Sequence, residues 1–589
     1  MLELNQPVTG IRRTKAVWEE PHPMMEAADL VVAYLEQIGV EFVFGVPGGA
    51  IEPLYNALAR SARRGGPRPV VARHETGAAF MADGYARETG RIGVCCATSG
   101  PGSTNLITGV ACAYENEIPL LVISGQPSLL LLGRGAMQES AGIGGIDTVA
   151  MFRTCTRYSA LVSHPDQLER QLASALLLAH QPTPGPVHLS IPVDVLRSPA
   201  GHKPAYDLAS LLLPPSLVDD AAVKALHGQL EQARRVVVLI GSGCGEAIDV
   251  ILDLAEKIGA VFVTTPDAKG FVSPRHPLYR GVFGFAGHRS ADAAMNDRAD
   301  LILAVGSDLG EFTSNGWCES LLNSRLVHID SCEAHLLRSP MARLHVRGRI
   351  RPVFERLLDL MRQDGGRELA ATARQPAQAP VEDPAKRMSD AVPIKPQRLM
   401  RELGRRCPPN TRFLADTGNS IAWAIHHLDL HDCHPSKGGW LRVTMNFAPM
   451  GWAIGGAVGT ALAAPKSPVV CLTGDGSLLM NGQEMTVALV EKLTVVFVIL
   501  NDAALGMVKH GQRLAGAEQV GVDLPTVDFR LLAESMGIPG HVIRSAEDLE
   551  RLDLDAILRN PGPTLLDVRI DGEEVPPMLL RMQTLGTLK

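Results

Sequence analysis

The stretch SPVVCLTGDGSLLMNGQEMTVALVEKLTVVFVILNDAALGMV, residues 467–508, decides the fold. Its apolar run at 469–473 predicts a strand that breaks sharply at Gly474-Asp475-Gly476-Ser477. A helical pattern over 482–492 follows, with Asn481 as the expected cap and Glu484 three residues on. The β-branched run 494–500 predicts a second strand, ending in Asn501-Asp502. Strand, glycine turn, helix, strand is a βαβ unit, and such units take ligands at the carboxyl ends of their strands. Asp475 and Asp502 both fall at those ends. Two hard oxygen ligands beside a helix N-terminus suit Mg²⁺ carrying a phosphorylated cofactor, because the ion keeps phosphate and water oxygens in its remaining octahedral positions. A lone GDGS would equally fit a turn aspartate. The second carboxylate at the next strand end favours the metal.

The chain around this stretch has 589 residues, too many for one ordinary domain. A hydrophobic content of 46% with 20% charged residues is that of a well-packed soluble protein. A net charge of −7 gives no electrostatic case for nucleic acid or for an anionic membrane. The ten cysteines are scattered, and adjacent Cys95 and Cys96 read as buried strand residues rather than a disulfide framework, which fits a reducing cytoplasm. Residues 1–23 contain acids and no apolar core, so they read as a loosely ordered extension rather than a signal peptide. The most membrane-like run, 449–465, is interrupted by four glycines and reads as a buried helix.

Residues 24–195 read as one α/β domain: a helix over 25–38, a strand at 42–44, the turn Gly45-Val46-Pro47-Gly48-Gly49, a helix through Leu58 and a strand at 69–72. RHETGAAFMADGYARETG (73–90) then starts at a strand end and continues as a helix, which puts Glu75 in its first turn, where the helix dipole favours a carboxylate. A strand at 92–98, the loop SGPGSTN (99–105), a helix to Glu115, a strand at 120–124 and the buried strand of GPVHLSIPVDV (185–195) complete the unit. Residues 196–366 form a second α/β unit, with strands at 236–240, 261–264, 301–305 and 326–329. Its glycine run GSGCGEA (241–247) lacks a full GxGxxG and an acidic partner, so it reads as a structural turn. Residues 367–392, rich in Ala, Pro, Gln and charge, read as a linker. The third domain, 393–589, opens with a strand at 412–415 that ends in Asp416-Thr417-Gly418-Asn419-Ser420, a glycine turn into a helix whose N–H groups could receive phosphate. His426 and His427 on that helix read as structural or solvent-facing.

Several of these segments resemble one family, the thiamine-diphosphate (ThDP) enzymes. Their diphosphate signature is GDG followed by an Asn or Asp at the next strand end, here Asp475 and Asp502, with the Ala504 carbonyl as the third protein ligand to Mg²⁺. RHETGAAFMADGYAR resembles the segment carrying the family's activating glutamate, which would be Glu75. SGPGSTN and GPVHLSIPVDV are similar to its pyrimidine-binding domain, and Gly418, Asn419 and Ser420 match its first diphosphate-contacting loop. In MNFAPMGWAIGGAVG (445–459), Met450 matches the apolar residue that wedges between the cofactor's two rings, where an isolated methionine would otherwise read as core. The resemblance implies three doubly wound parallel-sheet domains: pyrimidine-binding, middle and diphosphate-binding. ThDP would supply a carbanion equivalent and act as an electron sink. Gly474, Asp475, Gly476 and Ser477, with Gly506, Met507 and Val508 of LGMV, would hold it. Glu75 would hydrogen-bond the pyrimidine and favour the imino tautomer that removes the thiazolium proton. The family splits these two halves between chains, which implies a homodimer or homotetramer.

Within the family, FGVPGGAIEPLYNAL (44–58, with Gly49), AMQES (136–140) and LGMV (505–508) look most like acetolactate synthases. Gln138 matches a glutamine near the substrate, Met137 replaces a usual Phe, and Arg157 stands where a lysine is expected. The usual GMV-x-Gln-Trp becomes GMVKHGQ, so Gly511 replaces the tryptophan that packs against the acceptor 2-ketoacid, and the lid sequence after it is absent. The middle domain of typical members binds FAD through an Arg-Phe-Asp-Asp-Arg-like segment. Here Ser307-Asp308-Leu309-Gly310-Glu311-Phe312 stands in its place without the arginine, which counts against FAD. The expectation is a carboligase that decarboxylates a 2-ketoacid such as pyruvate and joins it to a second, non-classical carbonyl acceptor. A simple decarboxylase, an FAD-dependent oxidase and a non-catalytic binding protein are the alternatives.

Overall fold

Parallel pairing of apolar strands builds three sheets of six strands each in the computed structural model, which describes residues 25–142, 144–200, 203–213, 217–296, 299–363, 382–430 and 438–584. The first sheet contains β1 (Phe42–Gly45), β2 (Arg68–Val71), β3 (Gly93–Ala97), β4 (Leu120–Gln126), β5 (Tyr158–Leu161) and β6 (Val187–Pro192), in the order β2-β1-β3-β4-β6-β5. The second contains β7 (Val236–Ile240), β8 (Val261–Thr264), β9 (Tyr279–Val282), β10 (Leu301–Val305), β11 (Leu326–Asp330) and β12 (Leu344–Arg347), in the order β12-β11-β10-β7-β8-β9. The third contains β13 (Arg412–Ala415), β14 (Leu441–Arg442), β15 (Val469–Gly474), β16 (Val495–Asn501), β17 (Gly540–Ile543) and β18 (Thr564–Arg569). Its order, β14-β13-β15-β16-β18-β17, repeats the first sheet's pattern. The central strands β3, β4, β7, β10 and β16 are buried along their whole length, as helices on both faces of a parallel sheet require.

In the third sheet the strand order reverses between β13 and β15, and in the first between β1 and β3. Crevices open at such reversals, outside the strands' carboxyl ends. The Gly418 loop follows β13 and the Asp475 turn follows β15, so both border the same reversal.

The first and third units share one core through two helices, Glu75–Thr89 and Trp452–Ala463. Their axes approach so closely that a Cβ on Gly84 would lie 2.1 Å from the Gly456 carbonyl oxygen, and one on Gly459 would lie 1.9 Å from that of Met81. Trp452 Nε1 donates to Asp83 Oδ1 at 2.9 Å, and Arg87 Nε donates to the same carboxylate at 2.6 Å. The glycine-interrupted run at 449–465 is thus a buried helix, Trp452–Ala463. Among the described residues, no helix is long and apolar enough to cross a membrane.

Two local expectations are corrected. The helix expected over 482–492 begins earlier, at Asp475–Asn481, turns through a 3₁₀ segment Gly482–Glu484 and resumes as Met485–Val490. Asn481 caps nothing; its amide lies where a Cβ on Gly451 would come within 2.2 Å, and Glu484 reaches away to another unit. The end of the 367–392 linker carries the short helix Pro384–Arg387, docked by Lys386 Nζ on Glu574 Oε2 at 2.7 Å; residues 367–381 and the expected extension 1–23 lie outside the described residues. His426 and His427 take the structural of their two readings: both are buried, His426 stacks on His288 at 4.7 Å and its Nδ1 contacts the Ala286 carbonyl oxygen at 3.1 Å.

Candidate active site

Two clusters of polar groups form at the strand ends. The first surrounds the quoted turn. Asp475 opens its helix directly, 4% exposed, and accepts from the Gly476 N–H at 2.8 Å through Oδ1. The Ala503 and Ala504 N–H groups also face its carboxylate. Its Oδ2 is buried without a partner, as are Ser477 Oγ, Asn419 Oδ1 and Thr417 Oγ1. Asn419 and Asp502 meet over Gly506, where a Cβ would lie 2.5 Å from Asn419 Nδ2 and 2.6 Å from Asp502 Oδ2. Met450 closes the opposite side: a Cβ on Gly476 would sit 3.3 Å from its terminal methyl and 2.8 Å from a Leu505 methyl. Cβ atoms on Gly418 (φ 118°) and Gly474 would meet nothing within 4 Å, leaving their backbone open to a ligand. Ser420 is buried and its hydroxyl donates to the Asp416 carbonyl at 2.7 Å, so only its N–H remains for a phosphate.

Burial pushes Asp475 up to about 6, against the pull of the surrounding N–H groups. Burial and then the Asp475 charge push Asp502 up to about 7. Two neighbouring carboxylates that raise each other's proton affinity, one with an orphaned oxygen, are a donor set that suits a cation. The unpartnered Ser477 and Asn419 oxygens, the open glycines and the N-terminus of helix Asn419–His427 add what a diphosphate needs. These residues fit a metal-diphosphate group.

Asp416 organises the cluster, a role its sequence position alone does not reveal. Fully buried, it accepts from the N–H groups of Thr417, Gly451 and Ala453 and from Thr473 Oγ1 at 2.8 Å. One carboxylate thus pins the end of β13, the Met450 loop and the end of β15 together.

The second cluster belongs to the first unit. Glu75 is the first residue of its helix, 9% exposed, and its Oε2 accepts from Asn105 Nδ2 at 2.9 Å. A Cβ on Gly102 would come 3.3 Å from Oε1, so the glycine loop leaves that oxygen accessible. The amides just before Glu75 are held by the third unit: Arg73 N–H and His74 N–H donate to Glu484, the latter at 2.8 Å. Burial pushes Glu484 up to about 7. Gln138 is exposed, with φ 61°, and its Cβ lies where one on Gly100 would come within 3.0 Å. Gly49 is exposed, and a Cβ there would meet nothing within 4 Å. Three of the non-glycine residues with left-handed backbone, Gln138, Ala448 (48°) and Ala503 (53°), lie on segments beside the two clusters.

Among the described residues no hydrogen bond joins the two clusters directly: Glu75 accepts from Asn105 and Asp475 from its own turn. A cleft of about 910 Å³ touches all three units, reaching Thr417, Gly418 and Met507, yet Glu75, Gln138, Asp475 and Gly511 do not line it. Gly511 faces the C-terminal helix, with Met582 Sδ at 3.7 Å the one atom near the position of a Cβ. Arg157 lines the cleft and lies over the Tyr114 ring at 4.5 Å. Beside it the Asp308 segment is supplied with arginines from elsewhere, Arg338 on Asp308 at 3.1 Å and Arg581 on Glu311 at 2.8 Å.

Comparison with known proteins agrees with this division. Residues 25–150 match the N-terminal TPP binding domain of thiamine pyrophosphate enzymes, 223–357 their central domain and 416–568 their C-terminal TPP binding domain. The chain is 30% identical over 571 residues to the acetolactate synthase isozyme 1 large subunit of Escherichia coli K12, covering 95% of this chain and 97% of that protein. It is 33% identical over 573 residues to the isozyme 3 large subunit, with the same coverage, and 30% identical over 586 residues to a probable acetolactate synthase large subunit of Methanococcus aeolicus. The chain therefore belongs to the ThDP-dependent enzymes, within the acetolactate synthase family.

Proposed function

We propose that the chain is a ThDP- and Mg²⁺-dependent carboligase that decarboxylates a 2-ketoacid such as pyruvate and adds the resulting acyl unit to a second carbonyl compound. The convergence of Asp475, Asp502, Asn419 and Gly506 around an orphaned carboxylate oxygen at the strand-order reversal carries this reading. When bound, ThDP supplies the carbanion equivalent and the electron sink. Asp475, Asp502 and the Ala504 carbonyl hold Mg²⁺. The N–H groups of Gly418 to Ser420 and of Gly474 to Ser477 receive the diphosphate. Gly506, Met507 and Val508 line the same helix start, and Met450 sets the depth of the pocket. Glu75 holds a proton at Oε1 while Asn105 fixes Oε2. Gln138, Gly49 and Gly511 border the 2-ketoacid and its acceptor.

Two chains complete each site in this reading, as a homodimer or homotetramer. The lack of a direct hydrogen bond between the Glu75 and Asp475 clusters among the described residues supports it, as do the exposed apolar side chains beside each: Leu130 and Met137 near the first, Leu479, Met480 and Val508 near the second. The nine described cysteines are free, which supports a cytoplasmic setting. Incubation with pyruvate, ThDP and Mg²⁺, followed by product analysis with varied aldehydes and 2-ketoacids, tests the activity. Acetolactate or another acyloin is expected. Acetaldehyde as the sole product would establish a decarboxylase instead, and a yellow protein needing FAD would establish an oxidase.

A further inference from the structure

A second group of ligand-bearing side chains lies away from both clusters, where the first unit meets the second. Strand β11 ends at Asp330, and the sequence Ser331-Cys332-Glu333-Ala334-His335 turns at once into the short helix Glu333–Leu336. Cys332 and His335 thereby face the same side, one turn apart. From the first unit, Glu117 enters on the turn after helix Pro101–Glu115, in left-handed backbone with φ 57°. Its Oε1 lies 3.0 Å from His335 Nε2. The candidate donor atoms of Glu117, Cys332 and His335 all lie within 4.8 Å of one another.

The surroundings are those of a built coordination site. Asp330, 4% exposed, contacts His335 Nδ1 through Oδ2 at 3.2 Å and accepts the Cys332 N–H through Oδ1 at 2.7 Å. A carboxylate on the far nitrogen of a histidine fixes the ring's orientation and leaves the near nitrogen free to coordinate. Cys332 is 2% exposed, and Glu117, Cys332 and His335 all line the 910 Å³ cleft, so a fourth position opens onto solvent there.

We propose that Glu117 Oε1, Cys332 Sγ and His335 Nε2 bind one Zn²⁺, with a water from the cleft as the fourth ligand. A thiolate, an imidazole and a carboxylate are the mixed donor set of a tetrahedral zinc site, and three protein ligands with an open position are its reactive form. Bond lengths of about 2.0–2.3 Å place tetrahedral ligands roughly 3.4–3.6 Å apart, so metal binding opens the 3.0 Å His335–Glu117 pair by a few tenths of an ångström and seats Cys332 Sγ within about 3.6 Å of both. Binding breaks the Cys332 S–H bond and displaces the proton between His335 and Glu117; both protons pass to the buffer and no electrons move. The metal would clip the first unit to the second, beside the cleft that reaches Gly418.

The experiment uses the full chain, stripped with a chelator and then loaded with ThDP and excess Mg²⁺ to fill the Asp475 site. Titration with Co²⁺ should give one equivalent bound, with a thiolate-to-cobalt absorption that Zn²⁺ abolishes. The Asp475 cluster, having no thiol, cannot produce that band. Cys332→Ser should remove it. Asp330→Asn should keep it while weakening affinity by about 10- to 100-fold. Should Cys332→Ser fail to fold, His335→Gln provides the same arm, with an expected affinity loss of at least about tenfold. Absence of the band in the parent chain, or its persistence unchanged in Cys332→Ser or at unchanged affinity in His335→Gln, overturns the site.

Discussion

At the scale of single residues, the chemistry rests on carboxylates whose surroundings differ. Glu75 keeps one oxygen on Asn105 and the other beside Gly102, as a proton-handling group needs. Glu75→Gln keeps the side chain's shape and removes its ability to exchange a proton. It should lower kcat by about 10²- to 10⁴-fold with an unchanged melting temperature, and unchanged turnover would refute the role. Asp475 and Asp502 behave differently, because both are pushed up by burial, to about 6 and about 7. In the metal-free chain they bind protons more tightly than the unfolded chain does. That stabilisation is complete below about pH 4 and is lost as the pH rises through 6 to 7. Protons and Mg²⁺ compete for the same oxygens, so the gain in melting temperature from Mg²⁺ with ThDP should be larger at about pH 8 than at about pH 6. A gain independent of pH would show that these acids do not take the ion. The Asp475 and Asp502 candidates are legible because a glycine turn and a strand end advertise them, whereas Met450 is singled out only by the family resemblance of its segment. Asp416 and Glu484 are not legible, since their partners lie on segments remote in the chain.

At the scale of elements, the helix Glu75–Thr89 is positioned by its partner Trp452–Ala463 rather than by its own sheet alone. Gly84→Ala tests this. Its methyl group would collide with the Gly456 carbonyl, and backbone cannot swing aside as a side chain does. A loss of about 1–3 kcal/mol is expected, read as a lower denaturant midpoint. Midpoints equal to the parent's would mean that the helices do not pack as described. The same scale shows what sequence patterns conceal. Interior strands such as β10 and β16 are continuous apolar runs and were read correctly. Strands β5, β12 and β17 lie at sheet edges, half-exposed, with compositions like those of the loops around them. The helix start at Asp475 was placed seven residues late because Gly474-Asp475-Gly476 has the letters of a loop. Its conformation is dictated by the amides and carboxylates converging there, which no local propensity records.

At the scale of the whole molecule, the two-chain site makes a quantitative claim. A mixture of Glu75→Gln and Asp475→Asn chains, each inactive alone, should form hybrid dimers with one intact site, since each chain supplies what the other lacks. Equal chains mixing at random give about half hybrids, so about one quarter of parental activity should return. No recovery after co-refolding would confine each site to a single chain. Fold class and cofactor are legible from segments spread along the chain, whereas the proposed acceptor side rests on Gly511 alone, a glycine with Met582 Sδ 3.7 Å from the position of a Cβ.

The Glu484 carboxylate gives the paired assembly one more property. It follows Asp475 by two helical turns and grips the amides directly before Glu75. Under the proposed two-chain reading, Asp475 and Glu75 of one polypeptide belong to different sites, and the grip of Glu484 makes each chain a tie between them.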